Sequence, residues 1–206
     1  MKVLLINGSP HEKGCTYTAL SLIAGELKAQ GIETEILHVG GQPVGGCIDC
    51  GGCRSGNGCV FGGVVNEAIE KAKTADAFVF GSPVHYASAA GNMASFMDRL
   101  AYAGGKYLAY KPAAVCCSAR RAGTTSTLDQ LVKYPQFFHM PLVNGSYWAM
   151  VHGSNPEQVL QDAEGCAVMQ ELGRNMAWLL HCIEAGKAAG IDHPQNPPRP
   201  MTNFIR

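Results

Sequence analysis

Lys2-Val3-Leu4-Leu5-Ile6-Asn7-Gly8-Ser9-Pro10-His11-Glu12-Lys13-Gly14-Cys15-Thr16, running on to Leu27, is the stretch whose reading decides the fold. Val3 to Ile6 is short, apolar and partly β-branched, the pattern of a strand buried on both faces of a parallel sheet. Leu20, Ile23, Ala24 and Leu27 then recur at helical spacing, and Gly31 lies just past the end of that pattern. A strand that passes through a small-residue turn into a helix aims unpaired N–H groups and the positive dipole end at one place, which suits an anion. The turn has neither Gly-x-Gly-x-x-Gly nor a closing Gly-Lys-Ser/Thr. It offers Ser9, Thr16 and Thr18 instead, which suits a terminal monophosphate held by hydroxyls and amides.

The same alternation repeats along the chain. Ile32 to His38 reads as a second strand. Val64, Val65, Ala68, Ile69 and Ala72 mark a helix, and Ala77-Phe78-Val79-Phe80 a third strand ending in the turn Gly81-Ser82-Pro83-Val84-His85-Tyr86. Met93, Phe96, Met97 and Leu100 share a helical face; Ala113 to Cys117 is the fourth strand, followed by the turn from Ser118 to Thr125. Leu128, Leu131 and Val132 mark a helix that Pro135 bends or ends. Pro141-Leu142-Val143 is expected to begin a fifth strand, Tyr147 to His152 an aromatic loop, and Val168 to Ile183 a long last helix. Five such repeats imply a doubly wound five-stranded parallel sheet with helices on both faces. Ligands bind such sheets beyond the strand C-termini, so the loops at Ser9, Ser82 and Ser118 are expected to converge on one pocket.

The 206 residues are read as one domain, with a cysteine-rich insertion at 39–63 and a Pro-rich extended arm at 190–206. Sixteen basic and sixteen acidic residues, scattered along the chain, argue against a nucleic-acid partner. The opening apolar run stops short of a signal peptide, and no stretch approaches the ~20 residues of a membrane span. A soluble cytoplasmic protein is expected. Nine cysteines there point to metal ligation, redox chemistry or burial rather than disulfides. Cys116, Cys117, Cys166 and Cys182 are read as core residues.

The loops together resemble those of the NADPH-dependent FMN reductase family, within the flavodoxin-like fold. Asn7 to Pro10 with Gly14 to Thr16 resembles its phosphate loop, Gly81 to Tyr86 the loop along the isoalloxazine edge, and Ala119 to Gly123 the third loop. The resemblance implies FMN as cofactor and NAD(P)H as co-substrate. It implies a phosphate site at Ser9, His11, Gly14, Cys15 and Thr16, and a ring flanked by Ser82, Pro83, Val84, His85 and Tyr86. Ala119, Arg120, Arg121 and Gly123 would close the other side. Cys15 stands where the family often has Asn or Ser, and a thiol at a helix N-terminus would have a lowered pKa.

Cys47, Cys50, Cys53 and Cys59, spaced x2, x2 and x5 in a glycine-rich loop, are similar to the ligands of the iron–sulfur flavoproteins. A [4Fe–4S] cluster, a zinc ion or four reduced thiols would each suit that loop. Gly62-Gly63 stands where those relatives commonly carry a pair of aspartates. The resemblance also implies a homodimer or homotetramer and a small-molecule or protein electron acceptor. The different-class alternative is an electron-transfer flavoprotein or redox sensor that does not use NAD(P)H directly.

Overall fold

The computed structural model describes residues 1–198 and 200–202. Strands β1 (Lys2–Asn7), β2 (Glu33–His38), β3 (Ala77–His85), β5 (Ala113–Ala119) and β6 (Met150–His152) form a parallel sheet in the order β2-β1-β3-β5-β6. A two-residue strand, β4 (Ser88–Ala89), folds back antiparallel on β3. The helices are α1 (Cys15–Ala29), α2 (Val64–Thr74), α3 (Gly91–Gly104), α4 (Thr124–Phe137), the single turn α5 (Pro156–Val159) and α6 (Ala163–Ala188).

Side chains alternate across a strand, and here the alternation fills two layers. Val3, Leu5, Ala77, Val79 and Cys116 face one way, under Leu20, Ile23 and Leu27 of α1 and Met169, Leu172 and Met176 of α6. Leu4, Ile6, Phe78 and Phe80 face the other way, under Val65 and Ile69 of α2 and Met93, Phe96 and Leu100 of α3. The order reverses between β1 and β3, the place at which sheets of this kind bind ligands beyond their strand C-termini. The doubly wound, flavodoxin-like architecture read from the repeats is therefore the one observed.

Three local expectations are corrected. The fifth strand is Met150–His152, within the stretch read as an aromatic loop. Pro141-Leu142-Val143 contributes only a bridge between Leu142 and Ala113, because the six residues from Asn144 to Ala149 loop out before pairing resumes at Cys117 and Met150. The third strand does not stop at Phe80 but runs to His85 and turns into a hairpin. Cys116 and Cys117 are buried, but Cys182 lies on the exposed side of α6 and Cys166 is half-buried.

The described part of the arm after α6 has no helix or strand. It rests on its own chain: the His193 ring stacks on Tyr110 at 4.3 Å, and Asn196 donates to the Tyr110 hydroxyl at 2.7 Å. Residues 199 and 203–206 of the arm lie outside the described residues. No described helix is long and apolar enough to cross a membrane.

Candidate functional site

The turn after β1 is built by a residue that comes before it. Asn7 is fully buried; its Oδ1 accepts from Ser9 N at 3.1 Å and its Nδ2 donates to Glu12 O at 2.9 Å, pinning both ends of the turn. Ser9 Oγ accepts from His11 N, and His38 Nε2 donates to Ser9 O at 2.7 Å. The turn delivers the chain to α1 with Gly14 as N-cap, no side chain capping the helix and no acid in its first turn. The first N–H groups of a helix have no acceptor within it, so this end is an uncapped donor set at the positive end of the helix dipole. Of the candidate phosphate ligands, Thr16 points inward: its hydroxyl lies 2.8 Å from Ser118 Oγ, both side chains being buried. That contact and the bond from Gly8 N to Gly81 O at 2.9 Å tie the turn after β1 and the start of α1 to β3 and to the end of β5.

Cys15 departs from expectation. Burial pushes its thiol up from the ordinary value, the nearby Glu157 adds to the rise, and the thiol donates to Gly153 O at 3.6 Å. Desolvation disfavours the thiolate more strongly here than the helix end favours it.

Beyond Ser82 and Pro83, β3 carries Val84 and His85 out to a hairpin tip at Tyr86 and Ala87, which have φ of 50° and 58°. Two left-handed residues make the tight turn that suits a two-residue hairpin. Tyr86 stands fully exposed at the tip, and His85 is exposed beside it. Ser82 is spent on the hairpin base: its hydroxyl donates to Pro83 O and accepts from Ala90 N. α4 holds the far side, where Gln130 Oε1 accepts from Ser88 Oγ at 2.6 Å and Ala89 N at 2.9 Å, and Ser126 Oγ donates to Ala87 O at 2.7 Å. Gly123, at φ 96°, is the N-cap of α4, and a Cβ there would lie 2.7 Å from Ala87 Cα. Arg120 and Arg121 are exposed on the adjoining turn and form no ion pair among the described residues.

The four loop cysteines line one hollow of about 140 Å³, together with Ile48, Phe61, Arg99 and Tyr102. Cys47 and Cys50 are exposed; Cys53 and Cys59 are half-buried. Left-handed Gly51, Gly56 and Gly58 give the loop its turns around a short 3₁₀ segment, Gly52–Ser55. Cys59 is the anchored member, with Asn66 Oδ1 accepting from its N–H at 2.8 Å and Asn66 Nδ2 donating to its carbonyl at 3.0 Å. Among the described residues, no three Cys, His, Asp or Glu side chains meet closely enough to hold a single metal ion.

Comparison with known proteins decides the family. The sequence profile of the NADPH-dependent FMN reductases matches residues 1–155. The chain belongs to that family. An iron–sulfur flavoprotein of Methanocaldococcus jannaschii is 27% identical over 192 residues, covering 89% of this chain and 100% of the relative. Among solved structures, RosB with bound 8-demethyl-8-formylriboflavin-5′-phosphate aligns with a TM-score of 0.69 at 15% identity, over 100% of this chain and 94% of that one. A flavodoxin from the domain Archaea aligns with a TM-score of 0.60 at 14% identity, over 88% and 99%. As a member of the FMN reductase family, the protein is a flavin oxidoreductase.

This reductase-family chain fits FMN on two observations: an uncapped helix end at the topological switch, and the approach of Gly81 in β3 and Ser118 in β5 to the residues around it. A cluster fits by donor chemistry, since four cysteines line a single hollow with Arg54 and Arg99 in its wall. A cubane attaches each thiolate to a different iron, so its ligands surround a volume rather than meet at one ion. Asn7, Gln130, Asn66 and Arg99 were all missed by sequence reasoning. Asn7 directly before Gly-Ser-Pro had a readable signal, because Asn bonds the backbone two residues on; the others act across more than six residues and leave no local pattern.

Proposed function

We propose that the protein is an FMN-dependent NAD(P)H oxidoreductase that passes electrons to a small-molecule or protein acceptor. The observation that carries this reading is the uncapped N-terminus of α1 at the β1/β3 switch, met there by Gly81 of β3 and Ser118 of β5. Bound FMN would supply hydride acceptance from NAD(P)H, and a cluster in the cysteine hollow would supply one-electron transfer.

The chain's own part is placement. Backbone N–H groups of Cys15 and Thr16, with the Ser9–Gly14 turn fixed by Asn7, would hold the 5′-phosphate. Pro83 to Tyr86 would lie along one edge of the ring, and Ala119 to Gly123 along the other. Arg120 and Arg121 are exposed and form no ion pair among the described residues, and their charge would attract the phosphates of FMN or an incoming NAD(P)H. A homodimer or homotetramer in the cytoplasm completes the reading, and exposed Tyr147, Trp148 and Trp178 offer apolar surface for subunit contact.

An anaerobic absorbance spectrum recorded before and after adding NADPH or NADH tests it. Flavin bands that bleach on addition are the expected result. Bands that remain with either nucleotide, yet bleach with a reduced protein donor, would replace the reductase by an electron-transfer flavoprotein.

A further inference from the structure

Arg99, on α3, is a buried cation without a buried anion. Its side chain faces the cysteine hollow and the residue is only 6% exposed, yet no carboxylate among the described residues pairs with it. Its donors go to three separate parts of the cysteine loop: Nε to Cys59 Sγ at 3.2 Å, NH1 to Gly45 O at 3.4 Å and NH2 to Gly62 O at 3.0 Å. The Phe61 ring lies across the guanidinium at 5.6 Å. Neighbouring Asp98 does not serve as counter-ion, being held at 2.6 Å by the Tyr134 hydroxyl.

Neutral carbonyls solvate a guanidinium but do not cancel its charge, and a buried charge left without a partner is costly. Arg99 therefore fits the hollow best when the hollow holds negative charge. Four thiolates around an iron–sulfur core carry such a charge. Asp49 and Arg54 also line the hollow, but Asp49 forms no ion pair with Arg99 among the described residues.

We propose that Arg99 is the counter-charge and positioning residue of the four-cysteine site. It gathers the loop at Gly45, Cys59 and Gly62 and sets the potential of the iron–sulfur cluster bound there. The proposal rests on the cluster reading given above. Adding one electron adds one negative charge beside a cation 3.2 Å from a ligand sulfur, so Arg99 stabilises the reduced form more than the oxidised form. It raises the potential accordingly.

The experiment uses the full chain, reconstituted anaerobically with ferrous iron and sulfide, as wild type, Arg99→Met and Arg99→Lys. Iron and acid-labile sulfide are assayed first, then the cluster's midpoint potential by titration followed by electron paramagnetic resonance, with FMN content as the check on folding. The expected result is a cluster in the wild type, a potential shifted to more negative values in Arg99→Met, and a smaller shift in Arg99→Lys. Loss of the cluster from Arg99→Met with FMN retained, alongside a loaded Arg99→Lys at lowered potential, supports the same assignment. If Arg99→Met fails to fold, Arg99→Gln takes its place, because it also removes the charge while keeping a polar side chain. An unshifted potential in every variant that loads overturns the role of Arg99 while leaving the cluster standing. Wild-type protein without iron and sulfide overturns the cluster and the proposal with it.

Discussion

Asn7 shows how one side chain can fix the turn that follows it. It is fully buried, and both its polar groups are used on the turn that leads into α1. Asn7→Ala leaves Ser9 N–H and Glu12 O without these partners, which costs about 1–3 kcal/mol where such groups stay buried. The substitution is expected to lower the denaturation midpoint and to weaken FMN binding about tenfold or more. A variant with wild-type affinity would show that the turn holds its shape without Asn7. The Cys15 result belongs to the same scale: a helix N-terminus favours a thiolate, but burial against Gly153 outweighs it.

At the scale of elements, the β3–β4 hairpin was the part least legible in the sequence. A two-residue hairpin normally announces itself by Asn-Gly or Asp-Gly, because both residues need positive φ. Tyr86 and Ala87 occupy those angles instead, which tertiary support from Gln130, Ser126 and Gly123 permits. The sequence therefore read as a turn where the structure has a supported, strained tip. Gly123→Ala tests the support: a side chain at φ 96°, pressed on Ala87, is expected to destabilise the fold by about 1–3 kcal/mol. Thermal unfolding measures that cost, and an unchanged midpoint would mean that the hairpin and the α4 cap move independently. The fifth strand was misplaced for a related reason. Pro141 to Val143 has strand composition, but edge pairing is fixed by where β5 accepts a partner, and the chain loops out over Asn144–Ala149 first.

For the whole molecule, alternation and helical spacing were enough to establish a doubly wound sheet, since Val3 to Ile6, Ala77 to Phe80 and Ala113 to Cys117 have both faces covered. Strand β5, between β3 and β6, also sets an alkaline limit on stability. Burial pushes the Cys117 thiol up to about 12 from 9.0, and Cys116 is raised further, by burial and by its neighbour. Above pH 9 the unfolded chain releases these protons and the folded chain keeps them, so the native state binds more protons and loses stability as pH rises. Stability is thus expected to be insensitive to these groups below pH 9 and to fall toward pH 12, as read by denaturant midpoints across that range. Cys117→Ser combined with Cys116→Ala should lessen the dependence, and an unaltered slope would remove the thiols as its cause.

The central claim is that the α1 N-terminus, placed at the sheet's switch point, holds a flavin phosphate. FMN and riboflavin differ only in that phosphate, so calorimetric titration of flavin-free protein with each tests the claim most directly. On this account the phosphate would gain charge-assisted bonds to the uncapped N–H groups, and two such bonds of about 1.5 kcal/mol each amount to roughly a hundredfold in affinity. FMN binding at least that much more tightly than riboflavin is the result expected. Equal affinity for the two flavins would contradict the account.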